Sequence, residues 1–186
     1  MFDKGLLKDK VAVVTGGGTG IGRVVAEELS AHGASVVLAA RQLDRIESLA
    51  KELSAKGARA IAVATDISDF KQVGALFDRV DGEFGRVDIL VNNAAANFIR
   101  PSETLTAVRW KKVIDIVLHG SFFCALEAGR RMLEQKEGRI ISMVAAYAWT
   151  GGPGLAPSGS AIAGVVAMTR TLGVEWASRG VYFNAI

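Results

Sequence analysis

Cysteine is nearly absent from this 186-residue chain: Cys124 stands alone, which excludes an internal disulfide framework and fits a reducing compartment. It falls in an apolar helical stretch, where a buried packing role is expected. Histidine is almost as scarce. His32 and His119 lie far apart with no neighbouring ligand candidates, so no metal site is expected. No apolar run is long enough to span a membrane, and Met1–Lys10 lacks the long apolar region of a signal peptide. A large excess of one charge is missing too. Lys and Arg number 22 against 19 Asp and Glu, and the basic residues form no run of the kind that grips nucleic acid. These absences point to a cytoplasmic protein with a small-molecule partner. What is present, 50% hydrophobic and 22% charged residues, suits a single domain over residues 1–186 with one sizeable core.

Short apolar runs alternate with longer amphipathic stretches. Strands read at Val11–Thr15, Ser35–Ala40, Ala60–Ala64, Val87–Asn92, Arg139–Val144 and Val181–Ile186. Between them, helices read near Gly20–His32, Leu43–Lys56, Phe70–Phe84, Ala107–Glu134 with a break near Leu118–Ser121, and Ser158–Ser178. Near-continuous apolar strands alternating with helices predict a parallel sheet covered on both faces. Right-handed crossovers then give an α/β doubly wound sheet, the Rossmann fold, with ligands beyond the carboxyl ends of the strands. The chain stops inside what reads as a strand, so the expectation is a domain truncated within its sixth strand.

The first strand runs into Thr15-Gly16-Gly17-Gly18-Thr19-Gly20-Ile21-Gly22 and then a helix. Glycines let the backbone turn tightly and approach a pyrophosphate, and the helix start favours its negative charge. Strand before and helix after are the context that a dinucleotide site requires. An NAD-selective site places an acid at the end of the second strand for the ribose hydroxyls. Here Ala39-Ala40-Arg41 stands instead, and a guanidinium suits a 2′-phosphate, so NADP(H) is the expected cofactor. Asp66, followed by Ile67, lies just past the third strand. It either accepts from an adenine amino group or caps the next helix, a task for which Ser68 or Asp69 is better placed. Asn92-Asn93-Ala94-Ala95 closes the fourth strand with side chains small enough for backbone to pass a cofactor. Ser142 and Ser158 lack a histidine–acid partner that would suggest a hydrolase, and Ser158 reads as a helix cap after Pro157.

The glycine turn, Asp66 and Asn92-Asn93-Ala94 resemble the short-chain dehydrogenase/reductase family over essentially the whole chain. Asn92–Phe98, Ile116–Phe123, Tyr147-Ala148-Trp149 and Ala167–Trp176 resemble a subgroup, the bacterial and mitochondrial 2,4-dienoyl-CoA reductases. The resemblance implies hydride transfer from NADPH to a conjugated dienoyl-CoA thioester in fatty-acid oxidation. Asn97 and Tyr147 would stabilise the dienolate oxygen, and Tyr147 would help return a proton. Residues and resemblance together nominate Thr15, Gly16, Gly18, Gly20, Ile21, Gly22, Arg41, Asp66, Ile67 and Asn93 for the cofactor. They nominate Tyr147 and Asn97 for catalysis and Phe98 for substrate. The resemblance also implies a homo-oligomer, dimer or tetramer, formed through the long helices. Three departures stand out. Ile162, fifteen residues past Tyr147, replaces the subgroup's lysine. His119 replaces a helix asparagine that supports a proton relay, leaving a makeshift proton carrier or a hydrogen-bonded helix residue as its roles. Ala96 replaces a glycine beside Asn97, which would strain the backbone if that position needs positive φ. Two rival readings stay open: another short-chain carbonyl or alcohol oxidoreductase, and a catalytically impaired cofactor-binding or scaffold protein.

Overall fold

The computed structural model describes residues 3–186. Six strands, β1 (Val11–Thr15), β2 (Ser35–Ala40), β3 (Ala60–Ala64), β4 (Ile89–Asn92), β5 (Gly138–Ser142) and β6 (Val181–Ala185), form one sheet in the order β3-β2-β1-β4-β5-β6. Every pairing is parallel. The helices are α1 (Gly20–Ala31), α2 (Leu43–Ala55), α3 (Phe70–Phe84), α4 (Ala107–Ile114), α5 (Gly120–Gln135), α6 (Tyr147–Thr150) and α7 (Ala156–Ala177).

Both faces of the sheet are covered, and the strand sequences show why. Successive strand residues point to opposite faces, so a strand buried on both must be apolar throughout. Val11 and Val13 of β1 join a core with Leu76 and Phe77 of α3, Cys124 and Met132 of α5 and Trp176 of α7. Ala12 and Val14 face the other way, onto Ala26 of α1 and Ile46, Leu49 and Leu53 of α2. Each fully buried aliphatic or Phe side chain contributes about 1.5–3 kcal/mol of transfer free energy. Alternation therefore assigns α1 and α2 to one face and α3, α5 and α7 to the other.

Departures from the sequence reading have local causes. β4 starts at Ile89, two residues late, because the Val87 N–H donates to the Gln135 side chain at 3.1 Å rather than to a strand. The break expected near Leu118–Ser121 is a π-helical turn over Asp115–His119, joining α4 to α5 without a loop. Gly120 follows it, where a Cβ would sit 2.7 Å from the Ile67 side chain. Ser158 is not a cap. α7 starts at Ala156, with Leu155 at the N-cap and proline in the first turn, where its fixed φ suits a helix. Ser158 is buried inside that turn and donates to the Leu155 carbonyl at 3.2 Å. The sixth strand lies at the sheet edge, paired along its length with β5.

Candidate active site

Strand order reverses between β1, which continues to β2, and β4 on its other side, and at such a point the loops part and leave a crevice. A cleft of about 560 Å³ opens there, beyond the carboxyl ends of the strands. Gly16, Gly18 and Thr19 of the β1–α1 turn line it, with Arg41 past β2, Asp66 and Ile67 past β3, and Asn93 past β4. Six nominated cofactor residues, Gly16, Gly18, Arg41, Asp66, Ile67 and Asn93, thus meet around one space. Thr15, Gly20, Ile21 and Gly22 do not line it. Ala94 and Ala95 of the small-residue run past β4 also line it, as do Gln42, Arg45 and Ile116, which the sequence does not single out for a ligand.

Thr15 is fully buried and ties two loops together. Its hydroxyl accepts from the N–H groups of Asn93 (3.0 Å) and Ala94 (3.1 Å) and donates to the Val91 carbonyl (3.3 Å). The Asn93 amide returns the link, donating to the Thr15 carbonyl at 2.9 Å. This clamp fixes the β1 and β4 loop ends against each other. Gly16, at φ 64°, turns the chain into the conformation that L side chains rarely adopt. Gly22 is buried in α1, where a Cβ would come within 2.4 Å of both Asn93 Nδ2 and the Gly16 carbonyl. It lets the helix start press against the turn. Ile21 and Gly20 lie outward, Ile21 being exposed.

The cradle fits the nucleotide half of a dinucleotide. The turn is bare of side chains where a pyrophosphate would approach, and Thr19, the N-cap of α1, leaves that helix start without a side-chain cap. Asp66 uses Oδ1 to accept from Ser68, at 3.0 Å from N–H and 2.6 Å from Oγ. Capping of α3 falls to Asp69, which accepts from Lys71 and Gln72 N–H groups. Hydrogen bonding to Gln72 and Lys71 holds the Asp69 carboxyl below its ordinary value. Asp66 therefore does not cap α3, and its Oδ2 makes no hydrogen bond among the described residues. Arg41 is exposed at the rim.

Tyr147, Asn97 and Phe98 sit on the loops past β5 and β4, apart from this cleft. These loops meet where the Arg100 N–H donates to the Gly154 carbonyl at 3.3 Å. Gly154 has φ 73°, and a Cβ there would come 3.2 Å from Arg100 backbone atoms. Tyr147 starts α6, half-buried, and Asn97 is exposed. Neither side chain is committed to a hydrogen bond within the described residues. The strain anticipated at Ala96 does not arise, since Asp9 and Lys136 are the only described non-glycine residues with positive φ. Ile162 is 7% exposed in an apolar cluster with Val113, Val117, Ala161 and Val165, against which Tyr147 and Phe98 pack. His119 has its side chain on the surface, with Nδ1 3.2 Å from Asp115 Oδ1 and its ring stacked beside Phe123. That is the hydrogen-bonded helix role. Burial pushes the Cys124 thiol up to about 12, which leaves it inert.

Comparison with known proteins places this geometry. The profile of the short chain dehydrogenase family matches residues 10–186. A probable 2,4-dienoyl-CoA reductase of Caenorhabditis elegans is 44% identical over 185 residues, covering 98% of this chain and 60% of that protein. One from Bacillus subtilis is 39% identical over 182 residues, covering 97% of this chain and 72% of the relative. A crystal structure of a short chain dehydrogenase from Bacillus anthracis superposes with a TM-score of 0.92 at 41% identity, over 96% of this chain and 73% of that one. The chain spans 59–60% of the length of three nematode relatives it matches. Sheet order, glycine turn and family profile agree: the chain belongs to the short chain dehydrogenase family.

Proposed function

We propose that the protein is an NADPH-dependent reductase of a conjugated 2,4-dienoyl-CoA thioester. The observation that carries the cofactor part is the meeting of the glycine turn, Arg41 and Asp66 around one cleft, with no acid at the end of β2. Two of the relatives, 44% and 39% identical, bear the name 2,4-dienoyl-CoA reductase, which supports the substrate part. When bound, NADPH supplies the hydride. On this reading Asn97 and Tyr147 donate hydrogen bonds to the thioester oxygen as negative charge develops there, which lowers the barrier. The Tyr147 hydroxyl then assists return of the proton. Phe98 contacts the acyl group beside them. The cytoplasm suits this soluble chemistry, and no described helix is long and apolar enough to cross a membrane.

Exposed apolar residues on α4, α5 and α7 support self-association as a dimer or tetramer. They include Val108 (78% exposed), Trp110, Phe122 and Val174 (84%).

A second reading rests on Ile162. A buried isoleucine against Tyr147 supplies neither a donor for a nicotinamide ribose nor a positive charge beside the tyrosine hydroxyl. On that reading the chain binds NADP(H) and turns over poorly or not at all. One experiment addresses both: NADPH absorbance followed with a short 2,4-dienoyl-CoA, for the native protein and for Ile162→Lys. Substrate-dependent oxidation by the native protein establishes the reductase and removes the second reading. Oxidation by Ile162→Lys alone establishes the second. Silence from both rejects the dienoyl-CoA assignment.

A further inference from the structure

On the sheet face that α3, α5 and α7 cover, three polar side chains stand in a row at the carboxyl ends of neighbouring strands. Thr15 of β1 follows Val14, the register partner of Val91, and so lies beside Asn92 of β4. Asn92 in turn pairs in register with Ser142 of β5. Each stands two residues beyond a member of the same core, Val13, Leu90 and Ile140, so alternation turns all three to one face. All are buried, Asn92 at 4% exposure and Ser142 at 1%.

Thr15 is satisfied by the hydrogen bonds that clamp β1 to β4. The other two are not. Asn92 Nδ2 donates to the Ser121 carbonyl at 3.1 Å, and because a carbonyl only accepts, the amide cannot be turned over. Oδ1 therefore points away from that carbonyl. The Ser121 hydroxyl gives it no proton, since it donates to the Val117 carbonyl of the π-helical turn at 2.6 Å. Asn92 Oδ1 and Ser142 Oγ are left as buried polar atoms with no hydrogen-bond partner among the described residues, and they do not bond each other. Buried polar groups are rarely left so, because each then carries its full desolvation cost. Ala185 of β6, next in register to Ser142, has no polar side chain to offer. Neighbouring strands lie about 4.8 Å apart, which brings side chains in register on one face within reach of a single bridging water.

We infer that one buried water bridges Asn92 Oδ1 and Ser142 Oγ, and that Asn92 and Ser142 are positioning residues, doing between β4 and β5 what Thr15 does between β1 and β4. The water donates to Oδ1, and the Ser142 hydroxyl completes the bridge as donor or acceptor. The bridge acts on the loops that follow. β4 leads through Asn93 to Asn97 and Phe98, and β5 leads through Met143 to Tyr147. The Met143 N–H already donates to the Asn92 carbonyl at 2.9 Å, and further out the Arg100 N–H donates to the Gly154 carbonyl. With the strand ends locked by side chains as well, the two loops leave the sheet at a fixed separation. The water rests on burial and register alone; that the fixed loops carry catalytic groups rests on the reading of Asn97 and Tyr147 above.

A high-resolution crystal structure of the native protein is expected to show a water within hydrogen-bond distance of both atoms. A direct Ser142–Asn92 hydrogen bond, or no water touching both, overturns the inference. Ser142→Ala removes one partner of the water without adding bulk. It should lower the melting temperature by about 2–4 °C, the shift that one net hydrogen bond gives a chain of this size. Hydrogen exchange then separates positioning from plain stability. In Ser142→Ala, residues 93–100 and 143–154 should exchange about tenfold faster, while the β1–α1 turn keeps its native rate. Ser142→Thr, which keeps the hydroxyl, should restore the native pattern. Faster exchange throughout the chain, unchanged exchange in both loops, or a threonine variant that behaves like alanine overturns the positioning role. None of these readouts uses the thioester, so failure of the reductase assignment and failure of this inference are told apart.

Discussion

At the scale of single residues, the cleft depends on side chains that are absent as much as on those present. Gly22 illustrates this. A Cβ there meets Asn93 Nδ2 and the Gly16 carbonyl at 2.4 Å, and both atoms belong to the clamp that holds the β1 and β4 loops together. Gly22→Ala is expected to cost about 1–3 kcal/mol, the range for overpacking a tight site, and to weaken NADPH binding by displacing the turn. Melting temperature and NADPH fluorescence titration check the two effects separately. The glycine pattern was legible in the sequence because the chemistry of a phosphate turn constrains residue type. Thr15 was legible only as a motif member. Its burial and its three hydrogen bonds cross between β1 and β4, a contact between residues some 78 positions apart that no local pattern encodes.

At the scale of elements, alternation located the six strands and the long helices that cover them, since buried parallel strands are apolar throughout and covering helices repeat near 3.6 residues. The four-residue α6 is too short to show a period, and β5 runs over Gly138–Ser142 rather than Arg139–Val144. The junction between α4 and α5 was harder. A π-helical turn keeps the chain helical, so the sequence signals disruption at Leu118–Ser121 while the actual change in hydrogen bonding lies at Asp115–His119. The start of α7 was misplaced because Ser158 looks like a cap, whereas the preceding Ala156-Pro157 already form the first turn. The same long helices carry apolar side chains beyond what the sheet covers. Phe122 of α5 is 40% exposed and Val174 of α7 84% exposed, and the ring of Phe123 of α5 contacts that of Phe70 at the start of α3. Light scattering at micromolar concentration is expected to give a dimer or tetramer mass, and Val174→Asp with Phe122→Asp should shift it toward the monomer. A monomer mass for the native protein would set self-association aside.

At the scale of the whole molecule, the end of the sheet opposite the cleft is fastened by one buried carboxylate. Asp88 is 3% exposed. It accepts from the Val11 N–H at 2.9 Å and from Arg86 Nε at 2.8 Å, while Lys10 bridges it to Glu137 at the start of β5. Burial pushes this carboxyl up, but the hydrogen bonds from Arg86 and Val11, with the charges of Arg86 and Lys10, outweigh it and hold it below the usual carboxylate value. A carboxylate depressed in the folded state stabilises the fold above its unfolded pKa of about 3.9, and that stabilisation is lost as pH falls through the folded value. Chemical denaturation is therefore expected to show a fall in stability below about pH 4 that Asp88→Asn shows less of, at lower overall stability. An unchanged acid limb in the variant would remove Asp88 from this role.

The two ends of the sheet thus divide the work: Asp88 joins the strands at their amino ends, and at their carboxyl ends the loops leave a cleft suited to a phosphorylated nucleotide. The most direct test of the account is NADPH absorbance with the purified protein, with and without a short 2,4-dienoyl-CoA. The account predicts oxidation that requires the thioester, and slower oxidation with NADH in place of NADPH. No oxidation by the native protein or by Ile162→Lys, with NADPH binding intact, would contradict it.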